Sequence, residues 1–153
     1  MRVSQLCSER YIKIGFDSRT KDDLFRELVY FLADREPLDT DAVLRSLWDR
    51  ERMLNTRLIP NVALPHTQAK GLTRTVGVLA IDPAGCAYEL PGEELVKVVM
   101  LVIDSTDATI EHLDTLRNFA LLCRKPRFLP QLLECKDAAT VLKTLKAHES
   151  YID

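Results

Sequence analysis

At 153 residues the chain is long enough for one well-buried core, which at this size hides roughly 68–70% of the unfolded surface, and short for two. Its 21 Lys and Arg nearly balance 23 Asp and Glu, for a net charge of −2, which excludes the basic footprint of a nucleic-acid or anionic-membrane partner. No apolar run reaches the roughly 20 residues that span a bilayer. Met1-Arg2-Val3-Ser4-Gln5-Leu6-Cys7 also lacks the apolar centre of a secretion signal, so the chain reads as cytoplasmic with no direct membrane insertion.

Tyr11-Ile12-Lys13-Ile14 alternates and predicts a short strand. Thr20 is placed to cap a helix whose Leu24, Leu28, Phe31 and Leu32 fall at helical spacing, and Thr40 or Asp39 to cap a second, with Val43, Leu44, Leu47 and Trp48 on one face. That second stripe, its lone tryptophan included, reads as core packing. The helix ends in Asp49-Arg50-Glu51-Arg52, which as a bare charge run reads as a solvated helix end.

Residues 75–81 and 96–103 are β-rich, the second run almost wholly apolar, as in a central strand covered on both faces. Residues 83–92 carry turn chemistry and predict a hairpin between them. A strand-to-helix turn at Asp104-Ser105-Thr106-Asp107 precedes a helix from near Thr109 with Leu113, Leu116, Phe119 and Ala120 on one face, ending near Lys125-Pro126. Two shorter helices follow, around 128–135 and 137–147. Helices flank strands at both ends of the chain, so the expected fold is a single α/β domain over residues 1–153, a mixed β-sheet flanked by helices on both faces.

Cys7, Cys86, Cys123 and Cys135 form no CxxC pair and no cluster with histidine. They read as reduced thiols, several of them buried, and not as zinc ligands. The chemistry is expected from the histidines, of which there are three. His66 closes the apolar stretch 58–64 and follows Pro65, whose ring fixes its own φ and holds Leu64 extended. A side chain on so stiff a segment loses less entropy on meeting a reaction partner. His112 falls in the first turn of the helix beyond the central strand, where free N–H groups favour an anion and where open α/β sheets place their sites. If the two rings approach, repulsion between their charged forms lowers one pKa, leaving one imidazole neutral and nucleophilic and the other a donor to a phosphoryl group. Arg50 joins them only if the chain returns beside His66, since guanidinium matches phosphate geometry. His148 lies at the end of the last helix, before a polar tail, and is read as frayed and without a catalytic role.

Arg50-Glu51, Thr56, the segment Val62-Ala63-Leu64-Pro65-His66, and His112-Leu113 followed by Leu116 together resemble the enzyme IIA domain of the fructose/mannitol class of the bacterial phosphoenolpyruvate-dependent phosphotransferase system. That class includes stand-alone nitrogen-regulatory enzyme IIA proteins, and the resemblance covers nearly the whole chain. It implies a mixed sheet flanked by helices and a phosphohistidine intermediate on His66, loaded by an HPr-like phosphocarrier and unloaded to an enzyme IIB partner or used as a regulatory signal. It implies His112 as phosphate stabiliser, Arg50 as a candidate phosphate contact, and neither cofactor nor metal.

The chain departs from that family's pattern where glycines are usual. Leu54, Arg57, Ile59 and Asn61 occupy those places, and no glycine occurs between Gly15 and Gly71. Asn61 is an acceptable replacement because asparagine visits left-handed conformations, and Arg57 adds bulk and charge near the expected docking face. One alternative is therefore a catalytically weak, enzyme IIA-like regulatory binding module. A second, a metal-dependent hydrolase using His66, His112 and Asp104, lacks metal-ligand spacing.

Overall fold

The computed structural model describes residues 1–89, 92–106 and 109–149, with the backbone alone for 109–112. The chain runs α1 (Val3–Leu6), a 3₁₀ turn (Glu9–Tyr11), β1 (Ile12–Ile14), α2 (Lys21–Ala33), α3 (Thr40–Met53), β2 (Arg57–Ile59), β3 (Val62–Ala63), β4 (His66–Ala69), β5 (Val76–Cys86), β6 (Val96–Ser105), α4 (Thr109–Cys123), α5 (Phe128–Glu134) and α6 (Ala138–Glu149). The strands form one mixed sheet in the order β1-β5-β6-β3-β2, with β4 also on β6. β5 and β6 are antiparallel, and β1 is parallel to β5.

β6 is the central strand that its apolar run predicts. Val98, Met100 and Val102 pack into one cluster with Phe119, Phe128, Val141 and Leu145. Val99, Leu101 and Ile103 pack into the other with Leu24, Phe25, Leu28 and Leu47. Strand side chains alternate between faces, so this strand feeds both helical layers: α1, α4, α5 and α6 on one side, α2 and α3 on the other.

Both expected caps form. Thr20 Oγ1 accepts from Asp23 N (3.3 Å) and, of the two candidates for α3, Asp39 does the capping, accepting from Ala42 N (3.1 Å). Three local expectations are corrected. Residues 83–86, the start of the expected turn, continue β5 past a register shift after Ile81. Asp82 Oδ1 accepts from Ala84 N (2.9 Å), and Gly85 takes φ +76°, where an added Cβ would lie 2.7 Å from Leu95 Cβ. The expected hairpin forms, with β6 returning antiparallel along β5, and the first part of its turn chemistry builds a bulge at the end of β5. On α4, Leu113 is exposed and, among the described residues, the buried positions are Thr115, Phe119, Leu122 and Cys123, with Leu116 partly buried, so the packed face is turned away from Leu113.

The end of α6 is anchored, not frayed. Glu149 is buried and accepts from Ser4 N and Ser4 Oγ, both at 2.8 Å. His148 Nε2 lies 2.7 Å from Gln131 Oε1, and its ring packs edge-on against Phe128. All four cysteines are free and buried. Burial pushes the Cys7 and Cys123 thiols up to about 12 and Cys86 up to about 11, which keeps them protonated and unreactive.

Candidate functional site

His66 is positioned by a break between two short strands. β3 and β4 both run parallel to β6, at Val98–Val99 and at Val102–Ser105 respectively. Between them lie Leu64 and Pro65. Pro65 cannot donate to the ladder, but its carbonyl accepts from Val102 N (3.0 Å), and Leu64 N instead donates to the Thr56 carbonyl (2.9 Å). The Leu64 carbonyl is thereby turned to His66 Nδ1, 2.7 Å away. A backbone carbonyl only accepts, so Nδ1 carries the proton and the neutral ring has its lone pair at Nε2.

The ring is half-buried. Burial pushes its pKa below the ordinary histidine value, and the Arg50 guanidinium pushes the same way; the Leu64 carbonyl and the Glu51 carboxylate oppose them. The net direction is down, so the imidazole is neutral at pH 7.

Arg50 is beside His66. Both line a cleft of about 290 Å³ together with Ser46, Thr67 and Gln68. Arg50 Nη1 donates to the Leu54 carbonyl (2.9 Å), which ties the guanidinium to the end of its own helix. The Ser46 and Thr67 hydroxyls bond each other on the cleft wall. Sequence reasoning missed Ser46, although a residue four before Arg50 on a helix shares its face. It also passed over Thr67, the residue after His66. The side chain of His112 lies outside the described residues, although the backbone at that position belongs to α4 as expected.

Glu51 corrects the reading of residues 49–52 as a solvated end: it is only 4% exposed. Its carboxylate accepts from Thr56 N (3.0 Å) and Thr56 Oγ1 (2.7 Å) and pairs with Lys21 Nζ at 2.6 Å. Lys21 also pairs with Glu89, and its ammonium lies 4.4 Å from the Tyr88 ring centroid and 5.8 Å from that of Trp48. Thr56 Oγ1 spends its one proton on Glu51, so the Tyr88 hydroxyl, 2.9 Å away, donates to it. Burial raises the Tyr88 phenol pKa, which keeps that proton in place.

The glycine-free loop resolves differently from the expectation for Asn61. Among the described residues no non-glycine residue has positive φ, so this β2–β3 turn uses no left-handed position. Arg57 faces inward to brace it: Nε donates to the Pro60 carbonyl (2.8 Å), and the guanidinium bonds Glu93 and the Glu94 carbonyl. The charge is absorbed within the protein.

Asp104, the carboxylate of the hydrolase alternative, is fully buried and accepts from Thr75 Oγ1 at 2.5 Å. Among the described residues no group of three or more His, Cys, Asp or Glu is arranged to hold a metal ion, and no helix is long and apolar enough to cross a membrane.

Residues 5–148 match the family described as phosphoenolpyruvate-dependent sugar phosphotransferase system, EIIA 2. The fructose-specific EIIABC component of Bacillus subtilis is 21% identical over 150 residues, which are 97% of this chain but only 24% of that protein's length. Among solved structures, the nitrogen regulatory protein IIA-Ntr from Neisseria meningitidis shares this fold with a TM-score of 0.84 at 22% identity, over 94% of this chain and 98% of that one. The enzyme IIA of an Escherichia coli complex between enzyme IIA(Mtl) and phosphorylated enzyme IIB(Mtl) shares it with a TM-score of 0.74 at 19% identity, over 90% and 95%. With the match running through both helical layers and the sheet between them, the chain belongs to the EIIA 2 family of the phosphoenolpyruvate-dependent sugar phosphotransferase system.

Proposed function

We propose that this protein is a phosphoryl carrier that accepts the group on His66 Nε2 from an HPr-like phosphocarrier and passes it to an enzyme IIB partner. The observation that carries this reading is the 2.7 Å contact from His66 Nδ1 to the Leu64 carbonyl, made beside Arg50 in one cleft. It supplies a neutral imidazole of fixed tautomer whose reactive nitrogen is Nε2.

In the transfer, the Nε2 lone pair attacks phosphorus in line while the bond from phosphorus to the donor's imidazole nitrogen breaks, and the departing ring keeps that electron pair. The transition state is loose, with charge spread over the equatorial oxygens. Arg50 meets that charge as a planar double donor, and His112 is proposed as the second donor. His66 keeps its Nδ1 proton throughout, so the phosphorylated ring is cationic and the Leu64 carbonyl stabilises it. The reverse chemistry on an acceptor nitrogen or sulfur discharges the site, which suits a modest electrostatic clamp. Met53 and Leu54, on the turn that holds Arg50, are 83% and 70% exposed and offer an apolar rim to a protein donor.

A second reading, a regulatory module that signals through its phosphorylation state, is favoured by the likeness to the nitrogen regulatory protein. It uses the same loaded His66. The test is incubation with labelled phosphoenolpyruvate, enzyme I and HPr. Acid-labile, alkali-stable label is expected, as for a phosphohistidine. Absence of label at saturating carrier would refute both readings.

A further inference from the structure

The described site leaves one buried assembly unused: the Lys21–Glu51 ion pair with Thr56 and Tyr88. We propose that this assembly is a positioning device for His66, acting through the Thr56 peptide to hold the ring in its Nδ1-protonated tautomer. The inference rests on His66 being the phosphoryl acceptor, and it assigns a role to residues that do not line its cleft.

The contacts run without a gap. Lys21 Nζ pairs with Glu51 (2.6 Å), and Glu51 accepts both Thr56 N (3.0 Å) and Thr56 Oγ1 (2.7 Å), which fixes that residue at two points. The Thr56 carbonyl accepts Leu64 N (2.9 Å), and the Leu64 carbonyl accepts His66 Nδ1–H (2.7 Å). At Thr56 and at Leu64 the accepting carbonyl lies in the peptide unit after the donating N–H, so the chain works by fixing the backbone dihedrals between them.

The carboxylate of Glu51 is where the protons of this group converge. Glu51 only accepts, the Thr56 hydroxyl has one proton and gives it to Glu51, and Tyr88 donates to the Thr56 oxygen. A buried ion pair is a weak source of stability, because desolvation offsets its attraction. Orienting a reactive ring is a use for which such a pair is suited, since the β3–β4 break leaves Leu64 and Pro65 outside the regular ladder. Without the Thr56 carbonyl, Leu64 N would lack its acceptor and the Leu64 peptide would be free to rotate. The His66 proton would then distribute between its two nitrogens, and protonation at Nε2 removes the attacking lone pair.

The test combines long-range ¹⁵N–¹H spectra of the His66 ring with the rate of phosphoryl acceptance from phosphorylated HPr. Three variants are compared with wild type: Thr56→Val, which deletes the hydroxyl at constant shape; Thr56→Ser, which keeps it; and the paired Lys21→Met/Glu51→Gln, which removes both charges of the buried pair together and leaves only the part-exposed Glu89 without its lysine. Thr56→Val and the paired variant should show a mixed tautomer at His66 and accept phosphate about tenfold more slowly, the scale of a small misplacement of a reacting group. Thr56→Ser should restore both signatures.

Circular dichroism and melting confirm that each variant compared is folded. Folded Thr56→Val and paired variants that keep the single wild-type tautomer, or that accept phosphate at the wild-type rate, would overturn the proposal. Wild-type protein that takes no label while its His66 tautomer still responds to Thr56→Val would refute the phosphoryl-acceptor reading and support the positioning chain.

Discussion

His66 and His148 are the two histidines whose rings are described, and burial is the leading cause that lowers the pKa of each. Their hydrogen bonds separate them. His148 meets the Gln131 amide through Nε2, stands edge-on to Phe128, and offers its own carbonyl to Lys125 Nζ at 2.5 Å. These contacts join α6 to α5 and to the turn that precedes it. At His66 the partner is a backbone carbonyl two residues back on Nδ1, and the cleft beside it is shared with a guanidinium and two hydroxyls. A lowered pKa therefore does not identify a reactive histidine; the nitrogen that is engaged, and what shares the surrounding space, does.

The contrast is broken most directly by His66→Ala. Acid-labile labelling should fall to background with the fold retained, as judged by circular dichroism, because no other described ring stands in this cleft. Label persisting at wild-type stoichiometry would move the acceptor elsewhere. Next in size is His112→Gln, which keeps a polar donor of similar reach and should slow acceptance on the order of 10²-fold, at the lower end of what an electrostatic or acid–base group contributes. Donation should suffer more than acceptance, since the dianion must be held in line. Wild-type rates in both directions would return His112 to a packing role.

Arg50→Gln sharpens the electrostatic half of the contrast. It removes the proposed phosphate donor and also a positive charge that lowers the His66 pKa. Acceptance by wild type should stay level down to a pH below the ordinary histidine value of about 6.5, then fall as the ring protonates. In Arg50→Gln the inflection should move up and the plateau drop about tenfold, a barrier change of about 1.4 kcal/mol. The stability sign follows from the same shift. The unfolded chain binds the proton more readily, so the His66 contribution is complete above about pH 6.5 and is lost as pH falls towards the lowered folded-state value. An inflection unmoved by the substitution would show that burial alone sets the ring's pKa.

Much of this was legible because the signals are local. The apolar run of 96–103, the stripes of α2 and α3 and the Pro65-His66 exit each depend on a few neighbouring residues, and the mixed sheet with two helical layers follows from their order. What was not legible depends on distant partners. Glu51 reads as one more charge in 49–52 until α2 brings Lys21 to within 2.6 Å of it. Arg57 reads as exposed bulk until the β5–β6 connection supplies Glu93 and Glu94. Residues 83–86 carry turn chemistry that a bulged strand also uses, and only the pairing of Cys86 with Val96 decides between them. The glycine-poor loop shows the converse: a missing local signal mattered little, because the backbone here needs no left-handed residue.

The smallest effect on transfer is expected from His148→Ala, and it is the control that gives the comparison its meaning. The ring touches Gln131 and Phe128, on the helical layer formed by α5 and α6, whereas the cleft at His66 is lined from α3 and β4. Phosphoryl transfer should therefore run at the wild-type rate in both directions. Stability is where the change should appear. Losing one hydrogen bond and one edge-to-face aromatic contact costs about 1–2 kcal/mol, read as a lower urea midpoint at unchanged slope. His148→Gln, which can still reach Gln131 but has no ring for Phe128, should recover part of that loss. A transfer defect of tenfold or more in folded His148→Ala would mean that the α5–α6 end of the molecule communicates with the cleft, and the separation between a packing histidine and a reactive one would fail.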